Sequence, residues 1–543
     1  MKGSISKTWY HDVKKHIHQS FPAIFVTSFL TILCYGKYIF NTYFYQDTGA
    51  VVLNQGTTYN WFPIGRFGLV FIRELLGTAN ANPYYTAVLF IFFSVANAIV
   101  WSFLLQRCVG GKLTNSILAI FYSLFITYPA LSEQFYFQFQ SCEIVFGYIL
   151  VGVSLTLLFI NIGHKKWPIL ILSVLTATLA FSVYQSFVNV YISACLGCFA
   201  FCLIEDIRKP WNMLFTEIGF ILLHFCLAFL LYGLLNALFS TYGPDSDYFS
   251  SRVSLSLGAI INRIVVDGPA FFERLFFGDG VFFLPTLAIA SAALIIALGL
   301  FYVTLFIDNK THVFEAQVII NSGILLLNCV VLIFSPLLLS VMTGLYDARI
   351  QLAVPISAAY LFLLTFWLLQ HIHFSVARLF SLLLGVTSLF CIAHQTNSLM
   401  RIFYTYDIIN ENATIRATQI SYDLDKIISE EGNLPVAFIG SMEAKTNAAC
   451  SPLVPSYFFM SPLMQNERIS PAYFYGSAWL TDYYKYYGIT YQFPTDAQIH
   501  DAAIYAVDMP VWPSKDSIQV VDGVIIVKSG PVDETLLMTE PED

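Results

Sequence analysis

Residues Tyr45–Arg73 read YQDTGAVVLNQGTTYNWFPIGRFGLVFIR. The stretch follows the first long apolar run, so it is the first segment met on leaving a membrane. It carries a carboxylate, Asp47, near its start, and further on a Gly65-Arg66 pair that opens a short amphipathic segment. A carboxylate can take a proton from a hydroxyl, and a guanidinium can hold a phosphate through two parallel hydrogen bonds. The same residues also admit a plainer reading. Asp47 can end a helix, and Arg66 can snorkel to lipid phosphates.

Composition places the surroundings of this stretch in a bilayer. The 543 residues are 57% hydrophobic, 17% aromatic and only 11% charged. Soluble domains carry about 25% charged residues. The 50 Phe and 32 Tyr suit aromatic belts at two membrane interfaces. With a net charge of −8 and no large basic patch, no nucleic-acid partner is expected. The ten cysteines lie mostly within apolar runs; Cys195, Cys198 and Cys202 fall at helical spacing and read as small packing residues. Cys450 stands alone in the polar C-terminal region, so no disulfide framework is expected there. The first apolar run has full membrane length and no small-residue cleavage site, and reads as a retained span.

A hydrocarbon core of about 30 Å needs about 20 apolar residues in a helix. That ruler gives about eleven spans, near 21–40, 84–106, 114–131, 142–162, 168–184, 187–204, 213–240, 284–307, 314–340, 351–370 and 379–397. Lys14-Lys15, Arg107, Lys112, Lys165-Lys166, Arg208-Lys209, Lys310 and Arg378 then all fall on one side. The positive-inside bias makes that side cytoplasmic, with a cytoplasmic N-terminus and an outer C-terminal region. Parity depends on 168–204, read as a tight helical hairpin with Tyr184-Gln185-Ser186 at its outer tip. The long outer connection 241–283 carries apolar stretches too short to span, Val253 to Val266 and Phe271 to Phe277, expected as interfacial helices.

The composition changes near Arg401. An amphipathic helix is expected over Asp407 to Glu431, with Ile408, Ile415, Ile420, Leu424 and Ile427 as its apolar residues. A buried strand is expected over Pro435 to Gly440, and a hairpin over 518–527 about Asp522-Gly523. The chain thus divides into a transmembrane part, 1–400, and a small C-terminal extracytoplasmic α/β domain, 401–543. The Tyr-rich segment Tyr473 to Tyr491 reads as domain packing or as a surface for sugar rings.

Charged residues near the outer face are candidates for function. Glu133 lies in an aromatic outer turn, YPALSEQFYFQFQ. Arg349 opens the tenth span, where it opposes the helix dipole unless a bound anion or Asp347 neutralises it. Tyr184 and Gln185 offer neutral hydrogen bonds suited to sugar hydroxyls, or caps for the hairpin. His371 and His373 lack further ligands at metal spacing, so no metal is assigned. No P-loop, GxGxxG, GxSxG or HExxH occurs, and no cofactor is expected.

In this order along the chain, Asp47, Gly65-Arg66, Tyr184-Gln185-Ser186 and Arg349 resemble the bacterial type II glucosyltransferases. These are multi-span enzymes of the GT-C class that modify cell-surface polysaccharides. The resemblance covers residues 1–400 and implies a GT-C-like fold in the bacterial inner membrane. It implies transfer of a hexose, glucose in that family, from a polyprenyl-phosphate carrier to a cell-envelope glycan on the outer face. Asp47 would then be the general base in a single inverting displacement. Arg66 and Arg349 would hold the donor phosphate, and Glu133, Tyr184 and Gln185 the sugar or acceptor. The family often has two adjacent acids in the first outer loop where this chain has Gln46-Asp47, so a paired-carboxylate or metal-binding role is not implied. A lipid-linked glycan flippase and a polysaccharide polymerase are the alternatives.

Overall fold

The computed structural model describes residues 5–42, 44, 48–53, 59–242, 256–308, 316–344, 348–440, 446–451, 473–532 and 537. They group into two compact units, 1–41 with 58–399, and 42–57 with 400–543.

The first unit is helical because its apolar runs must satisfy their backbone groups internally. Its main helices are α1 (Ile5–Tyr35), α2 (Phe67–Leu76), α3 (Pro83–Cys108), α4 (Asn115–Ile126), α5 (Ser141–His164), α6 (Trp167–Val183), α7 (Phe187–Glu205), α8 (Trp211–Phe239), α9 (Thr286–Asp308), α10 (Ala316–Phe334), α11 (Ala353–Gln370) and α12 (Ser375–Glu431). Among the described residues, 9 helical segments are long and apolar enough to cross a membrane. A tenth is reached if Asn115–Ile126 and Pro129–Phe135, bent by 54°, form one span. α6 is apolar but only 17 residues long. Each of the eleven expected spans therefore has a helix, while the number long enough to cross is nine or ten.

The interval 168–204 is two helices, α6 and α7, broken at Tyr184-Gln185-Ser186 as the hairpin reading requires. α11 is buried from Ala353 to Leu369 among α4, α7 and α9. α8 instead leaves Leu222, Leu223, Leu230, Leu234 and Leu238 exposed, the face that hydrocarbon would cover. Glu205 pairs with Lys112 and, at 3.5 Å, with His371. Lys209 pairs with Glu217 at 2.8 Å, and Asn321 Nδ2 donates to the Ile207 and Lys209 carbonyls. Away from these pairs, Gln185 bonds the Ile64 carbonyl, Arg73 the Phe139 carbonyl and Gln134 the Arg349 carbonyl.

The stretch 257–277 is one helical run rather than two separated helices. Two π-helical turns, Arg263–Asp267 and Glu273–Phe277, adjoin the α-helical pieces Leu257–Asn262 and Gly268–Phe272. Pro269 stands at the start of a piece, where its missing N–H costs least. Ile261, Ile264, Val265 and Val266 are exposed, whereas Phe271, Leu275 and Phe276 are buried. Residues 253–255 of the expected segment lie outside the described ones.

α12 (Ser375–Glu431) runs without interruption through the composition change near Arg401. It is one helix of 57 residues, and no Gly or Pro between 386 and 431 interrupts it. Its buried positions beyond 400 include Ile402, Phe403, Tyr406, Ile409, Ala413, Ala417, Ile420 and Leu424. Ile415, expected on the apolar face, is 51% exposed, and small alanines take the inner stripe.

The second unit carries a three-stranded sheet, ordered β1 (Val436–Ile439), β3 (Val524–Lys528), β2 (Ile518–Val521). β1 runs parallel to β3, and β2 antiparallel to it. The β2–β3 turn is Asp522-Gly523, both at positive φ, which matches the right-handed twist of the strands. α14 (Asp496–Ala506) covers the sheet with Ile499, Ala502, Ala503 and Ala506. α13 (Tyr473–Tyr486) supplies Tyr483 and Tyr484 to the interior, so much of the Tyr-rich segment is packing. The short helix Thr48–Leu53 packs on α13, and Phe44 meets the rings of Tyr483 and Tyr486 at 5.3 Å each.

Candidate functional site

The Gly65-Arg66 turn is built by three helices. Phe62 and Trp61 carbonyls accept the Gly65 and Arg66 N–H groups at 3.0 Å, closing a tight turn ahead of α2. Gly65 has φ +79°, in the left-handed region. A Cβ there would lie 2.7 Å from Tyr232 Oη, 2.9 Å from Gln185 Nε2 and 3.0 Å from Asn236 Oδ1. Only glycine fits. Three residues on, a Cβ at Gly68 would sit 2.1 Å from Ser182 Oγ, so α2 lies directly against α6.

That close approach sets Arg66 over the hairpin tip. The guanidinium carbon is 4.4 Å from the centre of the Tyr184 ring, a cation–π distance. Gln185 Nε2 donates to the Ile64 carbonyl at 2.6 Å, and Tyr232 Oη donates to the Gly65 carbonyl at 3.2 Å. Arg66 Nε is buried with no hydrogen-bond partner, and its side chain forms no ion pair among the described residues. Arg66 also caps the N-terminal end of α2. A cation there is opposed by the helix dipole, and a bound anion would be favoured by both.

A second group of expected residues meets nearby in the chain. The turn Pro129–Ser132 and the helical turn Glu133–Tyr136 pack against Ala348–Ile350. Gln134 Nε2 donates to the Arg349 carbonyl at 3.0 Å, and the Arg349 guanidinium lies 4.9 Å from the centre of the Phe137 ring. Glu133 is buried in this turn. Arg66 forms no hydrogen bond or ion pair with either Glu133 or Arg349. Asp47 and Asp347 lie outside the described residues.

Arg73, one of the charged residues that the sequence places near the outer face, links the two groups. It sits at the far end of α2 with no solvent exposure. Its guanidinium donates to the carbonyls of Phe139 and, at 2.8 Å, Thr78, and faces Glu143 at 4.0 Å. Trp61 lies over it, 5.0 Å from ring centre to guanidinium carbon. Tyr232 and Asn236 are the residues that sequence reasoning missed. An Asn in a long apolar run is the one signal that could have found the latter. Among the described residues no group of three or more His, Cys, Asp or Glu is placed to hold a metal ion.

The arrangement offers a planar cation with an unused, desolvated donor, backed by an aromatic ring and flanked by neutral amide and phenol groups. Such a set recognises a phosphate carrying a hydroxylated substituent. No curated protein and no solved structure matches the chain. A family model described as Glucosyl transferase GtrII matches residues 36–366.

Proposed function

Since the chain belongs to the glucosyl transferase GtrII family, and is thereby a membrane glycosyltransferase with a sugar donor and a glycan acceptor, we propose that its donor is a polyprenyl-phosphate hexose, glucose above all. The acceptor is a cell-surface glycan, and transfer takes place at the extracytoplasmic face of the bacterial inner membrane, with the N-terminus in the cytoplasm. The helical unit, of GT-C class, carries the chemistry, and the C-terminal unit stands outside.

One observation carries this reading: Arg66, half-buried on Tyr184, keeps its Nε desolvated and without a partner. A phosphate that becomes more negative as the glycosidic bond breaks is the substrate group such a donor stabilises. In the proposed step an acceptor hydroxyl oxygen attacks the anomeric carbon from the face opposite the phosphate. Asp47 takes the hydroxyl proton, and its role rests on the family pattern alone. The bond from the anomeric carbon to the phosphate oxygen breaks, and the lipid phosphate leaves with the electron pair, held by Arg66 and Arg349. A single displacement inverts the anomeric centre. Glu133, Tyr184 and Gln185 orient the sugar or acceptor hydroxyls.

The test offers radiolabelled polyprenyl-phosphate-glucose and nucleotide-glucose separately to membranes containing the full chain. Label in the glycan from the lipid donor alone is the expected result. Label from the nucleotide sugar alone, or movement of the lipid-linked sugar across the membrane without covalent transfer, overturns it.

A further inference from the structure

Asn236 lies on α8, one helical turn beyond Tyr232, on the face turned to the Gly65-Arg66 turn. Tyr232 is satisfied: its hydroxyl donates to the Gly65 carbonyl at 3.2 Å. Asn236 is not. Its Oδ1 is buried and accepts no hydrogen bond, although a Cβ on residue 65 would lie only 3.0 Å away. The helix around it is apolar from Phe225 to Phe239 apart from Tyr232 itself. A desolvated amide oxygen without a donor is unfavourable in such a setting, and a Leu would fill the position without that cost.

Two unfulfilled polar atoms thus flank one backbone turn, and they are opposite in kind. Arg66 Nε is a charged donor lacking an acceptor, and Asn236 Oδ1 is an acceptor lacking a donor. A bare phosphate ester satisfies the first and, fully ionised, offers nothing to the second. A glycosyl phosphate satisfies both, because its hydroxyl groups are donors carried next to the phosphate. Water would satisfy Asn236 as well, but would not distinguish the sugar-bearing lipid from the spent one.

We propose that Asn236 is a donor-specificity residue: it accepts a hydrogen bond from a hexose hydroxyl while Arg66 holds the attached phosphate. The inference rests on the sugar-phosphate reading of this site and adds to it a means of telling charged carrier from discharged carrier. A lipid phosphate that has lost its sugar keeps the Arg66 contact, forfeits the Asn236 contact, and leaves.

The experiment measures binding, so that it is independent of turnover. Full-length protein in detergent is titrated with dodecyl phosphate and with dodecyl-phosphate-glucose. Wild type is expected to prefer the glucosylated probe by about tenfold, the scale of one desolvated hydrogen bond. Asn236→Ala is expected to bind dodecyl phosphate as wild type does and to lose the preference. Asn236→Asp keeps an acceptor of the same size, so it retains the preference while both probes weaken through charge repulsion. It serves as the reporter if the alanine variant fails to fold. A preference that survives Asn236→Ala overturns the proposal, as does equal weakening of both probes in that variant. So does a wild type that does not discriminate between them. If discrimination is intact but no lipid-linked glucose is ever transferred, the specificity assignment stands and the transferase reading falls instead.

Discussion

Arg66 lies over Tyr184, guanidinium carbon to ring centre 4.4 Å, although the two residues belong to different turns of the sequence. The contact is a consequence of Gly68, which lets α2 approach Ser182 on α6 and so sets the end of one helix above the end of the other. Stacking needs a planar cation, and phosphate recognition needs a forked donor; only arginine supplies both. Arg66→Ala is therefore expected to lower transfer by about 10²–10³-fold. Arg66→Lys should fall between this and wild type, because charge survives and geometry does not. Tyr184→Phe keeps the ring under Arg66 but removes the hydroxyl that orients the sugar, and should fall between wild type and Arg66→Ala. Initial rates of label transfer in membranes, normalised to protein amount, check all three. A lysine variant with full activity would remove the planar-stacking argument.

Gly65 makes a separate prediction. Its φ of +79° and the neighbouring Tyr232, Gln185 and Asn236 atoms leave no room for a methyl group. Gly65→Ala is expected to displace the turn and cut transfer at least about tenfold, given a cost of about 1–2 kcal/mol for a left-handed backbone alone. The closest obstacle is the Tyr232 hydroxyl, at 2.7 Å from the added carbon. Tyr232→Phe in the same chain removes that atom and should recover part of the lost rate. Transfer assays on the single and double variants read the outcome.

The two positions show what a sequence reader can and cannot see here. Gly65-Arg66 stands out as a pair, and so does Tyr184-Gln185-Ser186, since 168–204 is too long for one span and short for two. Their meeting is not legible, because Tyr232, which pins Gly65, lies 167 residues further on. Asp522-Gly523 was readable as a hairpin turn because its requirement for positive φ is local. The composition change near Arg401 coincides with the start of the second compact unit but not with the end of a helix. Polarity changes there, but helix continuity depends on backbone breakers, and none occurs before 431. The inner face beyond it is partly Ala413 and Ala417, which hydrophobic patterning undercounts beside Ile415.

Asp47 is the one proposed catalytic group whose role rests wholly on residue order. As general base it is expected to contribute about 10²–10⁴-fold to the rate. Asp47→Asn keeps size and hydrogen bonding and removes basicity. It should lower kcat by that factor with expression and detergent extraction unchanged, and leave binding of dodecyl-phosphate-glucose near wild type. A normal transfer rate in this variant would take Asp47 out of the mechanism, while a loss confined to donor affinity would make it a binding residue.

Arg73 and Glu143 bear on stability rather than turnover. Both side chains are fully buried, 4.0 Å apart, and each has further hydrogen bonds: Arg73 to the Phe139 and Thr78 carbonyls, Glu143 from the Thr78 hydroxyl. The pair fastens the end of α2 to the start of α5, and thereby the Arg66 turn to the turn that holds Glu133. Removing one charge strands the other without water. Arg73→Met alone or Glu143→Gln alone is expected to destabilise the protein by about 3–5 kcal/mol. Removing both should cost less than the sum of the two, since neither charge is then left alone. Thermal unfolding in detergent, followed for wild type, both single variants and the double, gives the coupling directly. Strict additivity would mean that the two charges do not depend on one another, and that backbone hydrogen bonds alone hold Arg73 in place.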